Sequence, residues 1–135
     1  MKLLTEIFFY GYVSLLIVAG GWGVLGAKLD QRLLFGLELG SLDRRTGASL
    51  VSQYRFLRAI ECGFGLFALL WRHEIFTERP FNRLFLATMS LGVAARVVSL
   101  VLEGRPRAVF FFFLGSEAIG AILIFAYTRG TLGGV

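Results

Sequence analysis

The chain is poor in the residues that redox and metal chemistry draw on: one cysteine, one histidine and two prolines in 135 residues, with 9 carboxylates against 14 lysines and arginines. A single cysteine, Cys62, excludes an intramolecular disulfide and any Cys-x-x-Cys pair. Its place in an apolar helix face reads as small packing. Haem, zinc and di-iron centres use more His and Cys ligands than His73 and Cys62 supply, so neither a self-contained metal centre nor a cofactor is expected. Phosphate-binding loops, a Gly-x-Ser-x-Gly elbow and a dinucleotide fingerprint are missing as well, since the glycines of GGWGVLG follow no strand.

Charge is also sparse, at 17% of residues, while 56% are hydrophobic and the mean hydropathy is +0.73. Such a chain carries apolar runs too long to bury in so small a core, which makes a bilayer the expected surroundings. Residues 7–27 form a run of about 21 residues without a formal charge, enough to cross a hydrocarbon core of ~30 Å. That length exceeds a signal-peptide core, so the run reads as a retained anchor. Three less pure runs follow at 54–71, 81–102 and 108–127. Polar breaks divide them, one from Arg72 to Pro80 and one from Glu103 to Arg107. The fold class expected is all-α, an integral membrane four-helix bundle forming a single domain over 1–135.

The first connection, Lys28 to Gln53, is long. Asp30 to Gly40 mixes Leu33, Leu34, Phe35, Leu37 and Leu39 with Gln31, Arg32 and Glu38, which suits either an interfacial segment or a loop with apolar anchors. Ser41 to Ser52 is polar, with Thr46 or Ser49 as a cap for the next helix. If both termini share a side, that side carries Lys2, Arg72, Arg79, Arg83 and Arg129. The other carries Lys28, Arg32, Arg44, Arg45, Arg105 and Arg107. Three of the first five crowd the short second connection, which places the termini in the cytoplasm of an inner-membrane protein. An isoelectric point near 10 therefore describes a basic rim at lipid headgroups on two faces, and no nucleic-acid partner is expected.

Small residues recur at four-residue spacing on every run: Ala19, Gly23 and Ala27; Ala59 and Gly63; Thr88 and Gly92; Ala95 and Ser99; Ser116 and Gly120. That spacing lets helix backbones approach in lipid. The run Phe110 to Phe113 cannot all turn inward, so part of it meets lipid or a partner.

Against this apolar background stand Arg58, Glu61, Arg96 and Glu117. At ~1.5 Å per residue, Glu61 lies about 10 Å in from Tyr54, Arg96 about 9 Å in from Leu102 and Glu117 about 15 Å in from Arg107. Measured from the side of the long connection, all three share one half of the bilayer. Arg58 lies one turn from Glu61. A charge in hydrocarbon demands a partner, so Glu61, Arg96 and Glu117 are expected to converge. Two readings follow. The four residues form an ionic lock fixing helix register, or they line a pocket for a lipid or quinone. An enzymatic variant has Glu61 or Glu117 as proton acceptor and Arg96 or Arg58 as anion clamp.

The stretches LLFGLELG, YRFLRAIECGFGLFALLWR, AARVVSLVLEGRP and SEAIGAILIFAY resemble a bacterial family of small four-helix membrane proteins known only as a domain of unknown function. Arg58, Arg96, Gly104 and Glu117 occupy that family's positions for an Arg opening helix two, an Arg followed by a Gly-containing turn, and a Glu in helix four. The resemblance extends distantly to DoxX-like proteins, which implies quinone-linked chemistry. On these grounds the chain is expected to be an accessory subunit or small-amphiphile-binding protein. Its partners would be the lipid bilayer, a lipid or quinone, and other membrane subunits or further copies of itself.

Overall fold

The computed structural model describes residues 2–132, and these form six α-helices and a 3-10 turn with no strand among them. The helices are α1 (Lys2–Leu25), α2 (Ala27–Phe35), α3 (Arg44–Leu70), α4 (Arg72–Thr77), α5 (Arg79–Leu102) and α6 (Ala108–Leu132); the 3-10 turn is Leu39–Ser41. Three of them, α1, α5 and α6, are long and apolar enough to cross a membrane. The count of four runs is thereby reduced to three by length and composition. The run at 54–71 falls in α3 as far as Leu70, and there Arg55, Arg58 and Glu61 interrupt the hydropathy.

Helix boundaries also shift from the apolar runs. α1 starts at Lys2 and stops at Leu25, and α3 begins about ten residues ahead of Tyr54, inside the segment expected to be a polar loop. The cause is local. Asp43 Oδ1 accepts the backbone N–H groups of Arg45 and Thr46, each at 3.1 Å, and so caps two orphan donors of the first turn of α3. The caps expected at Thr46 and Ser49 are replaced, since Ser49 Oγ instead donates to the Arg45 carbonyl at 2.8 Å.

Hydrogen bonds from Thr46, side chain first and then backbone, hold the Asp43 carboxyl below its ordinary value of 3.8. A carboxylate depressed by folding stabilises the helix start above its unfolded pKa. That contribution is lost as pH falls through the lower folded value. Asp43→Ala should accordingly speed amide exchange at Arg45 and Thr46 at neutral pH, and wild type should approach the variant's rates only well below pH 3.8. Equal protection in both proteins at pH 7 would remove Asp43 as the cap.

Two further breaks behave differently. The polar stretch expected as a loop from Arg72 to Pro80 contains the short helix α4, and Pro80 sits in the first turn of α5, where its missing N–H costs nothing. The Glu103–Arg107 break interrupts the helices, with Gly104 at φ 94°, a conformation that side-chain-bearing residues resist.

The described residues fall into two compact units, one made of Met1–Tyr12 with Ala68–Val135 and the other of Val13–Phe67. In the first, Phe9, Ile75, Phe85, Met89 and Ile124 form the core. Its rings interlock, with Phe9 at 5.1 Å from Phe76 and 5.5 Å from Phe85, and Phe76 at 6.0 Å from Tyr127. α5 and α6 run antiparallel there, as three contacts along them show. Thr128 Oγ1 donates to Asn82 Oδ1 at 3.4 Å, Arg79 donates to the Leu132 carbonyl at 2.8 and 3.1 Å, and Arg96 meets Glu117. In the second unit Ala27, Val51 and Tyr54 are buried together, with Leu39 packed against them.

Helix α2 has an inverted amphipathic pattern. Asp30 and Gln31 are buried, whereas Leu29, Leu33 and Phe35 are exposed beside Lys28 and Arg32. Gly36, at φ 65°, ends the helix by returning its own N–H and that of Leu37 to the carbonyls of Arg32 and Gln31.

Candidate functional site

Along α5 the buried positions Asn82, Phe85 and Met89 recur at helical spacing, and the same stripe continues to Arg96. Along α6 the buried stripe is Glu117, Gly120, Ile124 and Thr128. With the two helices antiparallel, the stripes meet, and Arg96 engages Glu117 through both arms of its guanidinium: Nε donates to Oε2 at 2.8 Å and Nη2 to Oε1 at 3.0 Å. This fork geometry is the strongest that an Arg and a carboxylate make. The Glu117 side chain is 12% exposed and that of Arg96 30%. The guanidinium also lies 5.6 Å from the centre of the Phe113 ring, a cation–π contact that shields its upper face.

The other two charges predicted from sequence pair with each other, as Arg58 Nη1 donates to Glu61 Oε2 at 2.6 Å on consecutive turns of α3. That pair is one end of a longer chain. Arg58 Nε donates to the Tyr54 hydroxyl at 2.7 Å, Tyr54 donates to Asp30 Oδ2 at 2.7 Å, and Trp22 Nε1 donates to Asp30 Oδ1 at 3.2 Å. The Arg58 guanidinium also sits 5.0 Å from the centre of the Tyr54 ring. The network thus holds two carboxylates, Asp30 and Glu61, and one guanidinium, which binds Glu61 directly and reaches Asp30 only through the Tyr54 hydroxyl. No buried side-chain N or O lacks a hydrogen-bond partner among the described residues.

Asp30, Tyr54 and Trp22 are the members that the sequence reading missed as site residues. Asp30 stood in a segment read as interfacial or loop. The one sequence signal was its position within an otherwise leucine-rich turn. Tyr54→Phe removes the hydroxyl that links Asp30 to Arg58 while keeping the ring. Because both neighbours are charged, the loss should be about 1.5–3 kcal/mol, read as a lower unfolding midpoint in detergent. An unchanged midpoint would mean that the hydroxyl links nothing of consequence.

Room for the Arg58 network comes from glycines of α1. A Cβ on Gly20 would lie 2.7 Å from the Cys62 backbone nitrogen and 2.8 Å from the Arg58 carbonyl oxygen, and a Cβ on Gly23 would run into the Arg58 side chain. A Cβ on Gly65 of α3 would be as crowded, 3.0 Å from Leu16 Cβ and 2.8 Å from Ile17 Cγ1 of α1. By contrast a Cβ on Gly63 or Gly92, expected to mark close approaches, would meet nothing within 4 Å, and one on Gly120 would make an ordinary 3.5 Å contact with Met89. Close packing therefore concentrates on the GGWG segment of α1 and its neighbour α3.

Among the described residues no cluster of three His, Cys, Asp or Glu is placed to hold a metal ion. His73 lines a cavity of about 410 Å³ with Lys2, Glu6, Arg72 and the rings of Phe76 and Tyr127. There Arg72 Nη1 donates to the Tyr10 hydroxyl.

A family described as a domain of unknown function, DUF4345, matches residues 5–128, nearly the whole chain. No curated protein and no solved structure matches it.

Proposed function

The chain belongs to the DUF4345 family, and we propose that it is a small integral protein of the bacterial inner membrane, an accessory subunit that binds a small amphiphile and carries no catalytic centre of its own. In this reading α3 crosses the bilayer with α1, α5 and α6 as a four-helix bundle, and the termini lie in the cytoplasm. The observation that carries it is the pairing of Arg96 with Glu117 and of Arg58 with Glu61. Charges that find partners within the chain can be held at hydrocarbon depth, so the polar residues of α3 do not bar it from the membrane. The Arg96–Glu117 pair locks α5 against α6, the Arg58–Glu61 pair neutralises charge within α3, and an amphiphile docks beside them. α2 lies at the headgroup boundary, with Leu29 and Leu33 toward the acyl chains and Lys28 and Arg32 toward anionic phosphates.

Reporter fusions test the topology. Fusions after Val135, which lies outside the described residues, and within Ser41 to Ser49 should report opposite sides of the membrane. The same side for both would remove α3 as a span.

A second reading rests on the surplus carboxylate of the Arg58 network and on the Glu61 side chain, which is 38% exposed against 12% for Glu117. Glu61 then acts as a proton acceptor in quinone-linked chemistry. Glu61→Gln discriminates between the two. The lock reading expects lower protein abundance and stability. The proton-acceptor reading expects normal abundance with the cellular role lost.

A further inference from the structure

The geometry points to a binding site for an anionic phospholipid in the groove between α5 and α6, at the end where the chain leaves α4. The groove has a volume of about 590 Å³, and three arginines line it: Arg79 and Arg83 from the first turns of α5, and Arg129 from the last turn of α6. No carboxylate among the described residues lines it. Arg83 and Arg129 have no ion-pair partner among those residues, since the salt bridges formed are Lys2–Glu6, Arg58–Glu61 and Arg96–Glu117. Arg79 is held in place by donating Nε and Nη2 to the Leu132 carbonyl at 3.1 and 2.8 Å.

The rest of the groove selects a lipid over a soluble phosphate. Leu86 and Ala87 line it further along α5, and Phe125 lies one turn inward from Arg129 on α6. At ~1.5 Å per residue, Leu86 is about 10 Å deeper than Arg79. The cations thus stand at headgroup level, and from them the groove runs toward the bilayer interior along Leu86, Ala87 and Phe125, with the uncharged polar residues Asn82, Ser90 and Thr128 among them. A glycerophospholipid carrying net negative charge matches this layout, with its phosphate among Arg79, Arg83 and Arg129 and one acyl chain along Leu86 and Phe125. A free phosphate would leave the apolar half of the groove unused. Basic clefts between membrane helices are a known chemical match for such headgroups. The site is separate from the Arg96–Glu117 pair, and it rests on the reading that α5 and α6 cross the bilayer.

The test is native mass spectrometry of the full chain, delipidated in detergent and offered equimolar dioleoylphosphatidylglycerol and dioleoylphosphatidylcholine. Wild type should retain phosphatidylglycerol in preference. Each arginine near a charged headgroup contributes about five-fold in affinity, so R83Q/R129Q should weaken phosphatidylglycerol binding by about thirty-fold, with phosphatidylcholine unchanged. R83K/R129K should keep most of the preference, and R44Q/R45Q, which removes two exposed arginines elsewhere, should keep all of it. Circular dichroism establishes that each variant is folded. Equal retention of the two lipids by wild type, or an equal loss in R44Q/R45Q, would overturn the site. Displacement by excess glycerol 3-phosphate would assign the groove to a soluble phosphate and overturn the lipid. Alkaline extraction of membranes separates the premises: a chain released into the supernatant refutes the spanning reading, and a retained chain with no lipid preference refutes the site alone.

Discussion

Arg96→Leu should lower the stability of the detergent-solubilised protein by about 3–5 kcal/mol, because it strands the Glu117 carboxylate without its cation. Glu117 is 9% exposed and receives both arms of the guanidinium, at 2.8 and 3.0 Å. Its buried neighbours along the two stripes, Met89, Gly120 and Ile124, carry no charge. Neutralising the partner reverses most of the loss, so Arg96→Leu with Glu117→Gln should unfold nearer to wild type than the single variant does. A paired charge is weak as a source of net stability but costly to break on one side. Thermal unfolding monitored by circular dichroism checks both outcomes. The double variant also separates structure from ligand recognition in cells. Recovery of stability together with cellular function makes the pair a lock, and recovery of stability alone makes Arg96 a recognition group.

Gly20→Leu carries the second large effect. Even a lone Cβ at this position would sit 2.7 Å from the Cys62 nitrogen and 2.8 Å from the Arg58 carbonyl, and backbone atoms cannot swing aside as a side-chain tip does. α1 and α3 must separate locally. That draws Arg58 away from its glycine cradle and strains the Tyr54–Asp30 bond, which ties α3 to the helix that follows α1. Overpacking of this kind costs about 1–3 kcal/mol and occasionally more, and the displaced network adds to it. Gly92→Leu is the matched control, with nothing within 4 Å of its Cβ, and it should leave the unfolding midpoint nearly unchanged. Equal losses at the two positions would show that the glycine contacts do not set the packing.

The difference between those two glycines shows what sequence spacing can and cannot carry. Thr88–Gly92 and Ala19–Gly23 look alike as four-residue small pairs, yet Gly92 opens on nothing while Gly23 faces the Arg58 side chain. Spacing identifies a face that permits close approach, and only the chain's tertiary course says whether a neighbour comes. The helices α5 and α6 were legible because long apolar runs bounded by Pro80 and by the Glu103–Arg107 break leave few alternatives. Arg96 and Glu117 were legible because charges inside such runs stand out. The partner of each was not: Arg58, one turn away on α3, turned out to hold Glu61, and Arg96 to hold Glu117.

The α2 segment hid for a different reason. A reading by hydropathy buries Leu29, Leu33 and Phe35 and exposes Asp30 and Gln31, and the fold does the reverse. Burying Asp30 depends on Tyr54, 24 positions away, and on Trp22, eight positions away. No local pattern encodes a distant hydroxyl that makes an aspartate tolerable inside. The start of α3 was missed because the Asp43 cap lies in a stretch whose polarity resembles a loop. A polar helix end and a polar loop differ only in where the first-turn N–H groups find acceptors.

The central claim, that charges deep in the helices are held by partners within the chain, is tested most directly by magnetic-resonance distance measurement in lipid bilayers. The full chain would carry 15N-labelled arginine and 13C-labelled glutamate, in a Glu61→Gln background that removes the second pair. The account predicts strong magnetisation transfer from the Arg96 guanidinium to the Glu117 carboxyl, as its N–O contacts of 2.8 and 3.0 Å require, and its disappearance when Glu117→Gln is added. Absence of transfer in the Glu61→Gln protein, or its persistence after Glu117 is replaced, would contradict the account.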